Sequence, residues 1–173
     1  MEDSHSIVNP DMQHHPISDE WCLWAHLPHD TDWSLNSYKC IYTYSNIEEV
    51  ICVAETLPPT LVKNCMLFIM RKGITPLWED PKNRSGGCFS YKISNKIIPE
   101  CWKKLTYELI GETLSSNKNL QKSINGITIS PKKNFCIIKI WLSNCNCQDA
   151  SRLSVYSGIT SQGCLFKKHA PEY

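Results

Sequence analysis

Two loop tryptophans and one carboxylate are the groups in this chain best suited to grip a ligand. Trp78 and Glu79 are adjacent in the stretch 73–87, a turn-rich segment between two apolar runs. Gly73 can supply a positive φ after a strand, and Pro76 fixes the backbone just ahead of the indole. A tryptophan on a surface loop either folds back into the core or waits for a ligand. An indole offers a flat π-face, and a carboxylate offers two acceptors in one plane. Together they suit a flat, cationic, donor-edged molecule, and an N7-methylated guanine has that form. Its ring charge strengthens stacking on an indole. Its N1–H and N2–H stand side by side, where one carboxylate accepts both. Adenine lacks that donor pair. Trp33 is a second loop tryptophan, directly after the turn-formers of 28–32. It reads either as a core plug beneath its turn or as the opposite face of a sandwich with Trp78, since stacking platforms clamp single bases in this way.

The elements that must position these groups follow from periodicity. Trp21 to Leu27 alternates as a strand, with Trp21 and Trp24 assigned to the core, and Lys39 to Tyr44 is a second strand. Asn46 with Glu49 three residues on fits a capping box. Ile47, Val50, Ile51, Ala54 and Leu57 then form one apolar helix face, which Pro58-Pro59 stops. The run 64–70 suits a buried central strand, and 88–93 alternates as the next. Pro99 opens a second helix with Trp102, Leu105 and Leu109 on its core face and Lys103-Lys104 on its flank. Residues 115–125 read as a loop, and 126–129 and 136–142 as a hairpin around 131–134. A third short helix is expected over 148–156 with Gly158 as its stop, then a last strand over 164–168. Paired strands with about three α-helices predict an α+β fold, a curved antiparallel β-sheet backed on one face by helices. Residues 1–16, with His5, His14 and His15, lack periodicity and predict a flexible arm, leaving 17–173 as a single domain.

Five landmarks in order resemble the mRNA 5′-cap-binding translation initiation factor 4E family. The first is the loop itself, where Gly73, Ile74, Pro76, Trp78, Glu79, Asp80, Lys82, Asn83, Gly86 and Gly87 fit the family's signature. His15-Pro16-Ile17 with Trp21-Cys22-Leu23-Trp24 resembles its opening, and Asp32-Trp33 its first cap-stacking tryptophan. Trp102 through Leu109-Ile110-Gly111-Glu112 resembles a family helix, and Ile138-Lys139-Ile140-Trp141 the strand that ends in a third ligand-facing tryptophan. The match covers roughly residues 14 to 142, and the rest more weakly. The resemblance implies helices on the convex face and the cap site on the concave one. It also implies that Trp33 and Trp78 stack on the base, Glu79 reads its edge and Trp141 touches the methyl group. The protein it describes is a non-enzymatic translation initiation factor that needs no cofactor. Its partners would be capped mRNA and a protein scaffold or 4E-binding protein, without membrane or DNA. Its place would be the cytoplasm, with the nucleus as a second compartment.

Some positions depart from that pattern. The family's phosphate-gripping arginine aligns with Ser130 and a second phosphate lysine near Ile137, and the hairpin is longer than the family's. Loss of one charged hydrogen bond costs about 1.5–3 kcal/mol, which predicts weaker binding or phosphate capture by other lysines. Lys139 shares a strand face with Trp141, and Lys132 and Lys133 occupy the hairpin tip, so these three are the phosphate candidates. The partner surface, drawn from His15, Pro16, Ile47, Ile51, Trp102, Lys103 and Lys104, is altered as well. Ile51 replaces the family's scaffold-binding tryptophan, and Lys103-Lys104 replace a Leu-Glu pair. A usual partner helix would lose its anchor and meet reversed charge. The chain stops at Tyr173, which predicts a missing C-terminal loop near the second nucleotide. An alternative reading is therefore a 4E-like interaction module, repressor or decoy that has weakened or lost cap binding and does not recruit the usual scaffold.

Composition narrows the field further. A net charge of +1 gives no bulk attraction to nucleic acid, so any contact must be local. With 42% hydrophobic and 20% charged residues the chain reads as globular. No apolar run is long enough for a membrane span, and the acidic start is unlike a secretory leader, which predicts a soluble intracellular protein. The 10 cysteines are scattered, mostly in apolar runs, which predicts buried free thiols. Cys145 and Cys147 alone are closely spaced, a poor basis for zinc. An enzyme using Glu79 and Asp80 as catalytic carboxylates lacks a nucleophile, metal cluster or phosphate cradle.

Overall fold

A computed structural model describes residues 14–154 and 159–173. One antiparallel sheet contains β1 (Pro16–His26), β2 (Tyr38–Asn46), β3 (Met66–Arg71), β4 (Gly87–Ser94), β5 (Ile124–Pro131), β6 (Phe135–Leu142) and β7 (Leu165–Lys168). Their order across it is β2-β1-β3-β5-β6-β4-β7. The helices are α1 (Ile47–Thr56), α2 (Pro59–Asn64), α3 (Ile98–Ile110) and α4 (Lys118–Ser123). The curved sheet backed by helices is the α+β architecture expected.

Alternation along the strands sorts apolar side chains to two faces. Trp21, Leu23, Leu67, Ile69, Ile127 and Ile140 point to one face and meet Val50 of α1, Val62 of α2 and Trp102, Leu105 and Leu109 of α3 in the main core. The opposite, concave face carries Phe68, Met70, Ile74 and Trp141, with Trp24, Tyr38 and Trp78 packed against them. Trp24 is thus a correction: it is half-buried on the concave face, while Trp21 is fully buried under the helices. The Arg71 guanidinium lies 4.4 Å over the Trp21 ring and pairs with Asp19 at 2.8 Å and Glu112 at 2.7 Å, tying β1, β3 and the end of α3 together.

Asn46 caps α1, its side chain accepting the Glu49 N–H at 2.9 Å. The reciprocal contact is displaced, since Glu49 Oε2 accepts the N–H of Ser45 at 2.8 Å. Pro59 is more than a stop signal; it opens α2, where a missing N–H is no loss. The loop expected over 115–125 contains α4, because the Asn117 side chain accepts from the N–H groups of Asn119 and Leu120 and so starts a helix whose periodicity is too short to read. The helix expected over 148–156 is one 3-10 turn, Ala150–Arg152, and Tyr156 and Gly158 lie outside the described residues. Residues 1–13 of the expected arm also lie outside them, and β1 begins at Pro16. All ten cysteines are free, and five are buried. Burial pushes the Cys101 thiol up to about 11. Among the described residues, no helix is long and apolar enough to cross a membrane.

Candidate ligand-binding site

The loop from β3 to β4 is held from within. Gly73 adopts φ 80°, as a turn directly after a strand requires. Asp80 accepts the Thr75 N–H at 2.7 Å and hydroxyl at 2.8 Å through one oxygen, and the Lys82 N–H at 2.8 Å through the other. Asn83 is fully buried. Its Nδ2 donates to the carbonyls of Thr75 and Leu77, both at 2.9 Å, and its Oδ1 accepts from Asn125 at 2.9 Å. Trp78 and Glu79 therefore ride on a frame whose own polar side chains are fully engaged. A Cβ on Gly86 would lie 1.7 Å from the Leu142 carbonyl oxygen, so only glycine lets this loop close onto β6. Asn83→Ala removes the donor to the Thr75 and Leu77 carbonyls and the acceptor of one Asn125 N–H, and should lower the unfolding free energy by about 2–3 kcal/mol, read from a denaturant melt.

The second arm is the turn between β1 and β2. Trp33 is 58% exposed, so it does not plug the core. Its ring lies parallel to the buried His26 imidazole, with centroids 4.1 Å apart and planes at 3°. His26 Nε2–H donates to the Asp32 carbonyl at 2.8 Å. The Asp32 carboxylate accepts the Ser34 N–H and hydroxyl, which hold it below the usual carboxylate range.

Trp33, Trp78, Glu79, Lys139 and Trp141 line one pocket on the concave face, floored by Tyr38 and Phe68. Trp78 is half-buried and stacks on His169 at 5.7 Å and 17°. His169 Nδ1–H donates to the Asn83 carbonyl at 2.7 Å. Burial holds this imidazole below its ordinary range, and its Nε2 has no partner among the described residues. Burial, followed by the nearby Glu79 carboxylate, pushes the Tyr38 phenol up to about 12. Glu79 Oε1 accepts the Glu172 N–H at 3.3 Å, and Arg84 donates to the Tyr173 carbonyl at 3.1 Å. Glu172 and Tyr173 thereby form part of the pocket wall, where sequence reasoning expected nothing.

Cations already gather at the Trp78 ring. Lys139 and Lys167 each place Nζ 5.8 Å from its centroid. Lys139 and Trp141 share a face of β6, as the strand period requires. Lys167 was not anticipated; it reaches the site because β7 pairs with β4, bringing Lys167 opposite Cys88 and Cys88 opposite Trp141. Ser130 and Ile137, the positions departing from the resemblance, face each other across β5 and β6. Lys132 and Lys133 are exposed at the hairpin tip beside Phe135. Trp141 lies six residues beyond Phe135 on β6, about 20 Å at the usual strand rise, so the structure does not bring this pair to the pocket.

On the helix side, Pro16, Ile17, Ile47, Ile51, Tyr107 and Ile110 line an apolar groove. His15 stands at its rim, with Nδ1 2.6 Å from Glu48 Oε1. Trp102 is not in the groove; it is 2% exposed, within the main core. Lys103 pairs with Glu55 at 3.4 Å and Glu100 at 3.5 Å on the neighbouring surface, and Lys104 is exposed beside it.

Residues 16–161 match the model of the eukaryotic initiation factor 4E family. Eukaryotic translation initiation factor 4E-2 of Schizosaccharomyces pombe is 33% identical over 144 residues, covering 78% of this chain and 56% of that protein. The chain thus spans little more than half of that relative's length. Among solved structures, schistosome eIF4E complexed with m7GpppA and 4E-BP superposes with a TM-score of 0.68 at 26% identity, covering 77% of this chain and 74% of the other. The complex of C. elegans eIF4E-3 with the 4E-binding protein Mextli and cap analog gives 0.75 at 16% identity over 93% and 99%, a likeness of fold alone. On its sequence match and its sheet-and-helix architecture, the chain belongs to the eukaryotic initiation factor 4E family.

Proposed function

We propose that this protein binds the 7-methylguanosine 5′ cap of mRNA and acts in or modulates translation initiation. The observation that carries the reading is the convergence of an exposed Trp33, a loop-held Trp78 and Glu79 on one pocket with Trp141 in its wall. In this reading the methylated base lies between Trp33 and Trp78, and Glu79 accepts its N1–H and N2–H. The edge of Trp141 meets the methyl group. The cap phosphates pass to Lys139 and Lys167 as point charges. Asp80, with both oxygens committed to the loop, has no part in a reaction. Residues 17–173 act as one cap-binding domain, in the cytoplasm and in the nucleus as a second compartment.

Quenching of tryptophan fluorescence tests the assignment. 7-Methyl-GTP is expected to bind at least about tenfold tighter than GTP, from the charge added to the stack. Equal affinity, or none for either, overturns it and leaves the interaction-module reading. Lys139→Met with Lys167→Met should weaken 7-methyl-GTP about tenfold and flatten its salt dependence while leaving 7-methylguanosine, which has no phosphate, unchanged. The same titration checks both ligands.

The groove on the helix side suits the apolar stripe of an amphipathic helix. The schistosome relative is complexed with 4E-BP, and a partner of that class is proposed here. Ile51 is smaller than an indole, and Lys103 is already paired with Glu55 and Glu100, so the apolar groove rather than a flanking charge selects the partner. The partner is therefore a non-standard initiation scaffold or 4E-binding protein that lays apolar side chains into that groove.

A further inference from the structure

We infer that His26 is a positioning residue for Trp33, backing its indole and tying down the backbone that carries it, so that the open face is ordered before a base arrives. The inference rests on the cap-binding reading of the pocket. Trp33 is 58% exposed and stands on a turn, with no core around it. A ring so placed must be ordered when a ligand binds, and that lowers affinity. His26 removes the disorder in two ways. Its ring is parallel to the indole at 4.1 Å, and its Nε2–H holds the carbonyl of Asp32, the residue just before Trp33.

His26 is itself fixed. It ends β1 on the concave face, 3% exposed, between Tyr38 of β2 and Met66 of β3. The Tyr38 ring meets it edge-on at 5.1 Å. An aliphatic side chain would fill that volume equally well. The ring parallel to Trp33 and the N–H aimed at the loop are what filling space would not require.

The other side of the pocket repeats the device. His169 stacks on Trp78, and its Nδ1–H holds the carbonyl of Asn83 in the Trp78 loop. Between the two imidazoles run Tyr38, Phe68 and Trp141, each ring in contact with the next. Each indole proposed to stack on the base is thus backed by a histidine that also grips the loop bearing it. A continuous arc of rings sets the spacing of the two.

Fluorine NMR of protein labelled with 5-fluorotryptophan tests this without a ligand, the Trp33 resonance being assigned with Trp33→Phe. In the folded wild type that resonance should be displaced by the imidazole ring current. In His26→Ala it should move to the position of a solvent-exposed tryptophan and sharpen, and 7-methyl-GTP affinity should fall about tenfold, or 1.4 kcal/mol. His26→Phe restores a ring but not the N–H, and should recover affinity to within about threefold of wild type, as stacking supplies the larger share. His26→Leu serves in place of the alanine variant if that does not fold. A folded His26→Ala or His26→Leu with the Trp33 resonance and the affinity unchanged overturns the inference. A wild type that does not prefer 7-methyl-GTP to GTP overturns the cap reading instead, and the fluorine shift still decides whether His26 holds Trp33.

Discussion

Trp78→Ala should lower the affinity for 7-methyl-GTP several-hundredfold, the largest effect expected of any single substitution in this protein. Stacking of a base on an aromatic ring is worth about 1–3 kcal/mol, and a desolvated cation over an indole adds about 2 kcal/mol. Together, at about 3–5 kcal/mol, these correspond to a loss of roughly two to three and a half orders of magnitude. The fold should survive, because the frame of the loop is built from Asp80 and Asn83 rather than from Trp78. Trp78 does pack against the small concave-face cluster and on His169, so a modest destabilisation is expected. Isothermal titration of 7-methyl-GTP and a thermal melt separate the two effects. A variant that melts as wild type and keeps its affinity would remove Trp78 from the site.

The loop around Trp78 was legible because its residue types have few other uses. A glycine after a strand and a proline before an indole describe a turn, and Gly73 behaves that way. The bonds that Asp80 and Asn83 make inside the loop were not legible, because they depend on how the chain folds back on itself. Lys139 beside Trp141 followed from the strand period alone. The same period placed Trp21 and Trp24, three residues apart, on opposite faces. Assigning both to one core overlooked it. Trp33 was ambiguous because burial depends on what lies beneath a turn, which one stretch of chain does not report. Lys167, His26 and His169 were not legible as site residues. Each depends on strands distant in sequence becoming neighbours, β7 on β4 for the lysine and β1 between β2 and β3 for His26. The short helix α4 and the 3-10 turn Ala150–Arg152 depend on single capping side chains, Asn117 and Asp149, that weigh little against polar surroundings.

Glu79→Gln should weaken 7-methyl-GTP about a hundredfold and cut the preference for guanine over adenine. The carboxylate is proposed to take two donors, and hydrogen bonds to a charged group are worth about 1.5–3 kcal/mol each. Glutamine keeps one acceptor and turns an N–H₂ toward the base edge, so one bond weakens and the other becomes a clash of donors. The methylated base is cationic, so removing the negative charge also takes away attraction that a neutral base never had. Selectivity for 7-methyl-GTP over GTP should therefore fall together with affinity. Glu79 is not idle in the structure: its Oε1 accepts the Glu172 N–H at 3.3 Å. A base pairing with both oxygens must displace that contact or share it, so the segment ending in Tyr173 competes with the ligand for the group that reads it. That contact stabilises the ligand-free state and subtracts from measured affinity. The net loss in Glu79→Gln will consequently be smaller than the sum of two charged hydrogen bonds. Titration of 7-methyl-GTP, GTP and 7-methyl-ATP against wild type and Glu79→Gln checks this. If the variant keeps both its affinity and its preference for guanine, Glu79 does not read the base and the pocket must recognise it by stacking alone.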